Sequence, residues 1–130
     1  MSVKIYEIVR HDDERGFLAE LLRRDLISEE IKQIYFSVSK RGSIRGDHFH
    51  KKKTEWFCVL SGKAKLVLKS QIKDRDCQEI ILSGEDLKIV EIPPFIFHRI
   101  ESLTDDMLLL VCASELYKPE DHDTYKLCNT

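Results

Sequence analysis

The sequence predicts an all-β domain, a sandwich or barrel of short strands, and three observations carry that expectation. Stretches of alternating apolar and polar residues recur at roughly 8 to 12 residue spacing along most of the chain. Turn signals separate them, among them Ser61-Gly62, Ser83-Gly84, Pro93-Pro94 and Thr104-Asp105-Asp106. The 130 residues, 42% hydrophobic and 34% charged, have the size and balance of one globular unit, so residues 1–130 are expected to share one core.

Taken in order, Val3 to Val9 alternates as a strand. A turn is expected over His11-Asp12-Asp13-Glu14-Arg15-Gly16, and a second short strand from Phe17 to Leu22. Leu26-Ile27-Ser28-Glu29-Glu30 reads as a helical turn capped by the Ser28 hydroxyl. Ile34, Phe36 and Val38 then alternate with Gln33, Tyr35, Ser37 and Ser39, a strand with one apolar and one polar face. Glu55 to Leu60 is a strand closed by Ser61-Gly62. Beyond it Ala64, Leu66 and Leu68 alternate with Lys63, Lys65 and Lys69, as in a hairpin. Ile80 to Leu82, Leu87 to Ile92, Phe97 to Glu101 and Met107 to Ala113 complete the series. The tail from Lys118 to Thr130 is expected as an irregular segment over the barrel.

Composition excludes several functions. Lys plus Arg is 21 against 23 acidic residues, a net charge of -2, so no bulk positive field is available for nucleic acid. Met1 to Glu7 contains no apolar signal-peptide core, and the longest apolar run, Met107 to Ala113, is far short of the roughly 20 residues of a membrane-spanning helix. A cytoplasmic protein without a membrane span is expected. Cys58, Cys77, Cys112 and Cys128 form no C-x-x-C pair and fit reduced thiols, with Cys58 and Cys112 as small core residues.

The densest chemical signal runs from Gly42 to Glu55. His48 and His50 lie two apart, which on a strand points both imidazoles to one face. The chain returns with Glu55 after a turn over the solvated lysines Lys51, Lys52 and Lys53, and His98 follows at the start of a later strand. Three imidazoles and a carboxylate suit zinc, iron, nickel or manganese. Trp56, next to Glu55, points to the opposite side of its strand and is expected in the core or a dimer contact.

These residues resemble the cupin superfamily, whose first motif G-x5-H-x-H-x3-4-E-x6-G is matched by Gly42, His48, His50, Glu55 and Gly62. Its second motif, G-x5-P-x-G-x2-H-x3-N, is kept at Pro93 and His98. Leu87, Phe95 and Ser102 stand where the two Gly and the Asn belong. The resemblance implies a single cupin (double-stranded β-helix, jelly-roll) barrel, with His48, His50, Glu55 and His98 as metal ligands.

A second resemblance narrows the family. Asp13 to Glu20, Gln33 to Ser39 and Ile44 to His48 look like the D-x-R-G-F-x-x-E, Q-x-x-x-S-x-S and R-G-x-H segments of dTDP-4-keto-6-deoxysugar 3,5-epimerases. Arg45 to Lys51 and Ala113-Ser114-Glu115-Leu116-Tyr117 are similar to segments of sugar-nucleotide 3,4-ketoisomerases. Those two families commonly lack the full ligand set kept here. The strongest resemblance is to the zinc-binding C-terminal cupin of capsular polysaccharide biosynthesis reductases, which keeps that set and shares a P-E-x-x-D-T-Y tail with Pro119 to Tyr125.

That resemblance implies zinc as the most suitable divalent metal and epimerisation at carbon 3 of a nucleotide-linked 4-keto-6-deoxyhexose for bacterial surface polysaccharide. It also implies a homodimer, as is usual for such cupins. Removing the proton on carbon 3 needs a base, stabilisation of the enolate and an acid on the opposite face. Tyr35 is the acid or base candidate beside a bound metal; His48 takes the base role where the site is metal-free, and the two roles of His48 exclude each other. Arg15 and Arg45 are expected on the diphosphate, since guanidinium pairs bidentately with phosphate oxygens. Gln33 and Ser37 line the substrate on the polar face of the Tyr35 strand. A 3,4-ketoisomerase is the near alternative, a non-catalytic sugar-binding cupin a second, and an oxygen-consuming iron dioxygenase a third.

Overall fold

Alternation along the strands sorts the chain onto two large sheets. The computed structural model describes residues 3–72, 76–120 and 122–127. Cys128, expected as a reduced thiol, and Asp121 of the tail motif lie outside the described residues. The strands are β1 (Lys4–Glu7), β2 (Val9–Asp13), β3 (Gly16–Glu20), β4 (Gln33–Ser39), β5 (Ile44–His48), β6 (Glu55–Ser61), β7 (Lys63–Ser70), β8 (Cys77–Ser83), β9 (Lys88–Ile92), β10 (Ile96–Ser102) and β11 (Met107–Ala113). One sheet has the order β1-β9-β6-β11-β4, the other β5-β10-β7-β8, and β2 pairs with β3 alone. This is the cupin jelly roll that the motifs imply. No helix of the described residues is long and apolar enough to cross a membrane.

The core follows from period two. Ala64, Leu66 and Leu68 of β7 are fully buried while Lys63 and Lys69 face solvent. They meet Phe57 and Val59 of β6, Val90 and Ile92 of β9, and Leu109 and Val111 of β11 from the facing sheet. The opposite face of the five-stranded sheet carries Trp56, Cys58, Ile89 and Cys112, covered by Leu21, Leu22, Ile27 and Ile31 of the segment before β4. Trp56 is therefore a core residue, its indole N–H donating to Glu91 at 2.9 Å.

Two local expectations are corrected. The turn expected over residues 11–16 shrinks to Glu14 and Arg15, because β2 continues to Asp13 and pairs Val9 with Glu20 through Asp13 with Gly16. His11 Nε2 lies 2.7 Å from Glu20 Oε2, so this polar run bonds across the hairpin instead of looping out. Ser28 caps no helix: a single 3-10 turn at Arg24–Leu26 precedes it. The chain there is stretched across the sheet to bury Ile27 and Ile31 on Trp56 and Cys58.

β4 has one polar and one apolar face, as the alternation predicts. Its polar face looks into the barrel, where Ser39 is buried, while Ile34, Phe36 and Val38 point outward at 63%, 68% and 51% exposure. A hydrophobic stripe on an edge strand is the reverse of the usual arrangement.

Candidate metal centre

The two sheets bring four distant side chains to one point. His48 ends β5 and pairs directly with His98 of β10, while Glu55 opens β6 in the facing sheet. A bulge follows His98, and opposite it Gly46 and Asp47 both take left-handed backbone, with φ of 78° and 66°. An extra residue in this form re-aims the next side chain, here His48, toward the barrel interior. Gly46 is needed for a second reason. A Cβ there would stand 2.9 Å from the main-chain oxygen of His98.

The turn before β10 also keeps its shape. Phe95, in place of the motif glycine, adopts φ 66°. Such a conformation costs a bulky residue about 1–2 kcal/mol. Its N–H donates to the His50 main-chain oxygen at 2.7 Å and its ring lies 6.4 Å from that of Phe49, which offsets the cost and ties the two ligand-bearing segments together.

His48, His50, Glu55 and His98 offer ligand atoms all within 4.8 Å of one another. The last three are 4%, 3% and 1% exposed. His50 Nδ1 lies 2.5 Å from the main-chain oxygen of Asp123, and His98 Nδ1 lies 3.2 Å from that of Ile96. A carbonyl only accepts, so each Nδ1 carries its proton and each ring turns its Nε2 toward Glu55.

Those two Nε2 atoms converge on Glu55 Oε1, at 3.0 and 3.2 Å, and His98 Nε2 is buried with no hydrogen-bond partner. Neighbouring ligands around one ion with bonds of about 2.0–2.2 Å stand about 3 Å apart, so the set fits a divalent metal.

The electrostatics agree. Burial pushes the Glu55 carboxyl up, but hydrogen bonding and positive charge from His50 and His98 outweigh it and hold Glu55 well below the usual carboxylate range. Burial and the neighbouring His98 and His50 press the His48 pKa down to about 4, leaving it a neutral imidazole able to donate a lone pair. Tyr35 donates its hydroxyl to Glu55 Oε2 at 3.3 Å. Burial, with the charge of Glu55, raises its pKa, so the phenol keeps its proton.

Two cavities flank this point and share Tyr35, His48 and Glu55. The outer one, about 380 Å³, is closed by Leu116, Tyr117, His122 and Thr124 of the tail. The inner one, about 210 Å³, is lined by Ser37, Arg45, Phe57 and His98. Ser37 Oγ is buried there without a partner. Arg45 reaches Ser39 Oγ from Nε at 2.6 Å and the Val38 oxygen from Nη2 at 3.3 Å.

Two expected substrate residues stand apart from these cavities. Arg15 lies at the β2–β3 hairpin tip, its side chain 84% exposed and paired with Asp13 at 2.7 Å. Gln33 Oε1 accepts the Tyr117 N–H at 2.9 Å and so anchors the wall of the outer cavity. Lys51 and Lys52 are exposed, as a solvated turn should be, although Lys52 and Lys53 rim the outer cavity. The tail's part in the site was not visible in the sequence, because the contacts of Asp123 with residues 50–53 span about seventy positions.

Similarity to known proteins follows the same geometry. A family model described as the polysaccharide biosynthesis C-terminal domain matches residues 11–125. The chain is 35% identical over 121 residues to UDP-2-acetamido-2,6-beta-L-arabino-hexul-4-ose reductase of Pseudomonas aeruginosa, covering 92% of this chain and only 31% of that protein's length. It is 26% identical over 123 residues to TDP-4-oxo-6-deoxy-alpha-D-glucose-3,4-oxoisomerase of Aneurinibacillus thermoaerophilus, covering 94% and 86% of the two chains. A solved 3,4-ketoisomerase from Helicobacter canadensis superposes with a TM-score of 0.84 at 27% identity, over 97% of this chain and 91% of that one. The family match runs from the β2–β3 hairpin, through all four converging ligands, to the tail that holds His50, and the chain belongs to the polysaccharide biosynthesis C-terminal domain family.

Proposed function

We propose that the protein is an isomerase, a metal-dependent epimerase acting at carbon 3 of a nucleotide-diphosphate-linked 4-keto-6-deoxyhexose in bacterial surface polysaccharide synthesis. The observation that carries this is the convergence of two buried imidazole nitrogens on Glu55 Oε1 beside the Tyr35 hydroxyl, at the junction of two cavities. The relatives named for nucleotide-linked oxo-sugars support the substrate class.

His48, His50, Glu55 and His98 would hold the ion, and their nitrogen-rich set suits zinc. Bound there, a divalent ion supplies Lewis-acid polarisation of the sugar carbonyl oxygen. Tyr35, protonated and hydrogen-bonded to Glu55, is the acid that delivers a proton to carbon 3 on the face opposite the one from which the first proton leaves. Ser37 Oγ offers the sugar a buried hydrogen-bonding group, and Arg45 meets the diphosphate at the inner cavity. In metal-free protein His48 is a neutral base; as a ligand it is not.

A homodimer in the cytoplasm completes the proposal. The stripe of Ile34, Phe36 and Val38 is apolar surface that a second copy would cover. Arg15 lines a separate surface pocket at the hairpin and neither of the two cavities beside Glu55, so a role on substrate bound there requires the cavity of that second copy.

The 3,4-ketoisomerase remains a second reading because the chain is similar to a solved 3,4-ketoisomerase at a TM-score of 0.84 and 27% identity, and to the oxoisomerase at 26% identity over 123 residues. Incubation with UDP- and dTDP-4-keto-6-deoxyglucose in deuterated water, followed by NMR of the sugar, decides between them. Deuterium at carbon 3 with inverted configuration supports the epimerase, and a keto group moved to carbon 3 supports the ketoisomerase. No deuterium uptake leaves a non-catalytic binder.

A further inference from the structure

We propose that Asp123, in the tail beyond the last strand, is a positioning residue for the metal site. The proposal rests on the metal-binding reading of the His-His-Glu-His set.

Asp123 acts on His50 through two groups at once. Its main-chain oxygen takes the Nδ1 proton of His50 at 2.5 Å, which fixes both the tautomer and the rotation of that ring. Its carboxylate accepts the consecutive N–H groups of Lys51, Lys52 and Lys53, with Oδ1 at 2.8 Å from Lys51 and Oδ2 at 3.0 Å from Lys53. Three backbone N–H groups turned to one carboxylate form an anion-binding nest. The carboxylate thereby pins the tail to the turn that follows His50, and the pinned tail holds its carbonyl against the ring.

The next residues reinforce the clamp. Phe49 and Tyr125 exchange main-chain hydrogen bonds at 2.8 and 2.9 Å, and their rings stack 5.5 Å apart. Lys51 Nζ sits 4.2 Å over the Tyr125 ring. Partners that orient a metal-ligating imidazole commonly govern metal affinity by ten- to a hundredfold.

The test compares full-length wild type, Asp123→Ala and Asp123→Asn, each stripped of metal and titrated with Co²⁺ and with Zn²⁺ against a competing chelator. Asp123→Ala should bind both ions about ten- to a hundredfold more weakly and shift the visible Co²⁺ absorption bands, because the released ring no longer meets the ion at the same angle. Asp123→Asn keeps an acceptor oxygen for the nest and should recover most of the affinity and the wild-type spectrum. Should the alanine variant prove unfolded by circular dichroism, the asparagine variant and its Co²⁺ spectrum carry the test through that partial rescue. Wild-type affinity and an unchanged spectrum in a folded Asp123→Ala would overturn the positioning role while leaving the metal site standing. A wild type that takes up neither ion would overturn the metal site itself, and the proposal with it.

Discussion

The hydroxyl of Tyr35 binds Glu55 through Oε2, the carboxylate oxygen opposite the one that faces His50 and His98. One carboxylate thus serves two jobs, and they are separable by mutation. Tyr35→Phe should retain its metal through dialysis yet lose deuterium exchange at carbon 3 by about 10²-fold or more, as expected for removal of a proton-transfer group. Undiminished exchange would take Tyr35 out of the reaction.

His50→Ala should leave a protein with almost no bound metal after dialysis, because it removes one ligand of four. Glu55→Gln should weaken binding more mildly, losing the anionic charge at constant volume. Elemental analysis checks both. Metal content in Glu55→Gln equal to wild type means that Glu55 is not a ligand.

Metal-stripped protein should lose stability as pH falls from about 6.5 to about 4. The folded-state pKa of His48, about 4, lies below the ordinary 6.5, so the unfolded chain takes up the proton first. The loss from this group should be on the order of 1–3 kcal/mol and level off below its folded pKa. Glu55, also depressed, contributes stability above its ordinary value of 4.5 that is lost only at more acidic pH. Denaturant melts across this range should show the upper slope flattened in His48→Asn.

Gly46→Ala should be more damaging than any surface substitution on β5. Its new Cβ would meet the His98 oxygen at 2.9 Å and the His98 ring carbon Cδ2 at 3.2 Å, on backbone at φ 78° that a side chain disfavours. A loss of about 2–4 kcal/mol together with weakened metal uptake is expected. A variant that melts and binds metal like wild type would show that the β5–β10 bulge relaxes freely.

Arg45→Ala should weaken nucleotide-sugar binding about tenfold or more, the worth of a charge-assisted hydrogen bond. Its links to Ser39 and Val38 lie on β4, so a small drop in Tm accompanies the change. Titration calorimetry with the nucleotide sugar reads the first effect. Unaltered affinity removes Arg45 from the substrate site.

Most strands were legible because lysine and aliphatic residues alternate, and β7 is the clearest case. The convergence of His48, His50, Glu55 and His98 was legible too, since two histidines at period two and a returning carboxylate constrain where strands can meet. The direction of β4 came only from its resemblance to a substrate-lining strand. Alternation marks two faces but does not say which is inside, and here a cavity that needs polar walls overrides burial of Ile34, Phe36 and Val38. Phe95 shows a different limit. A backbone conformation usually marked by glycine persists under another residue when hydrogen bonding to His50 holds it.

The Asp123 clamp also bears on timing. The carbonyl that fixes His50 stands 73 residues later, after every strand of the barrel has been laid down. Pairing of β11 with β6 first sets Ala113 opposite Glu55, and only then can the tail reach His50, so its docking follows the joining of those strands. Until then the His50 ring is free to spin, and on the proposed metal reading its grip on an ion is loose and short-lived. Tight capture waits for the final docking of the tail, which makes metal uptake a clock for the end of folding: in refolding experiments it should lag the appearance of β-structure.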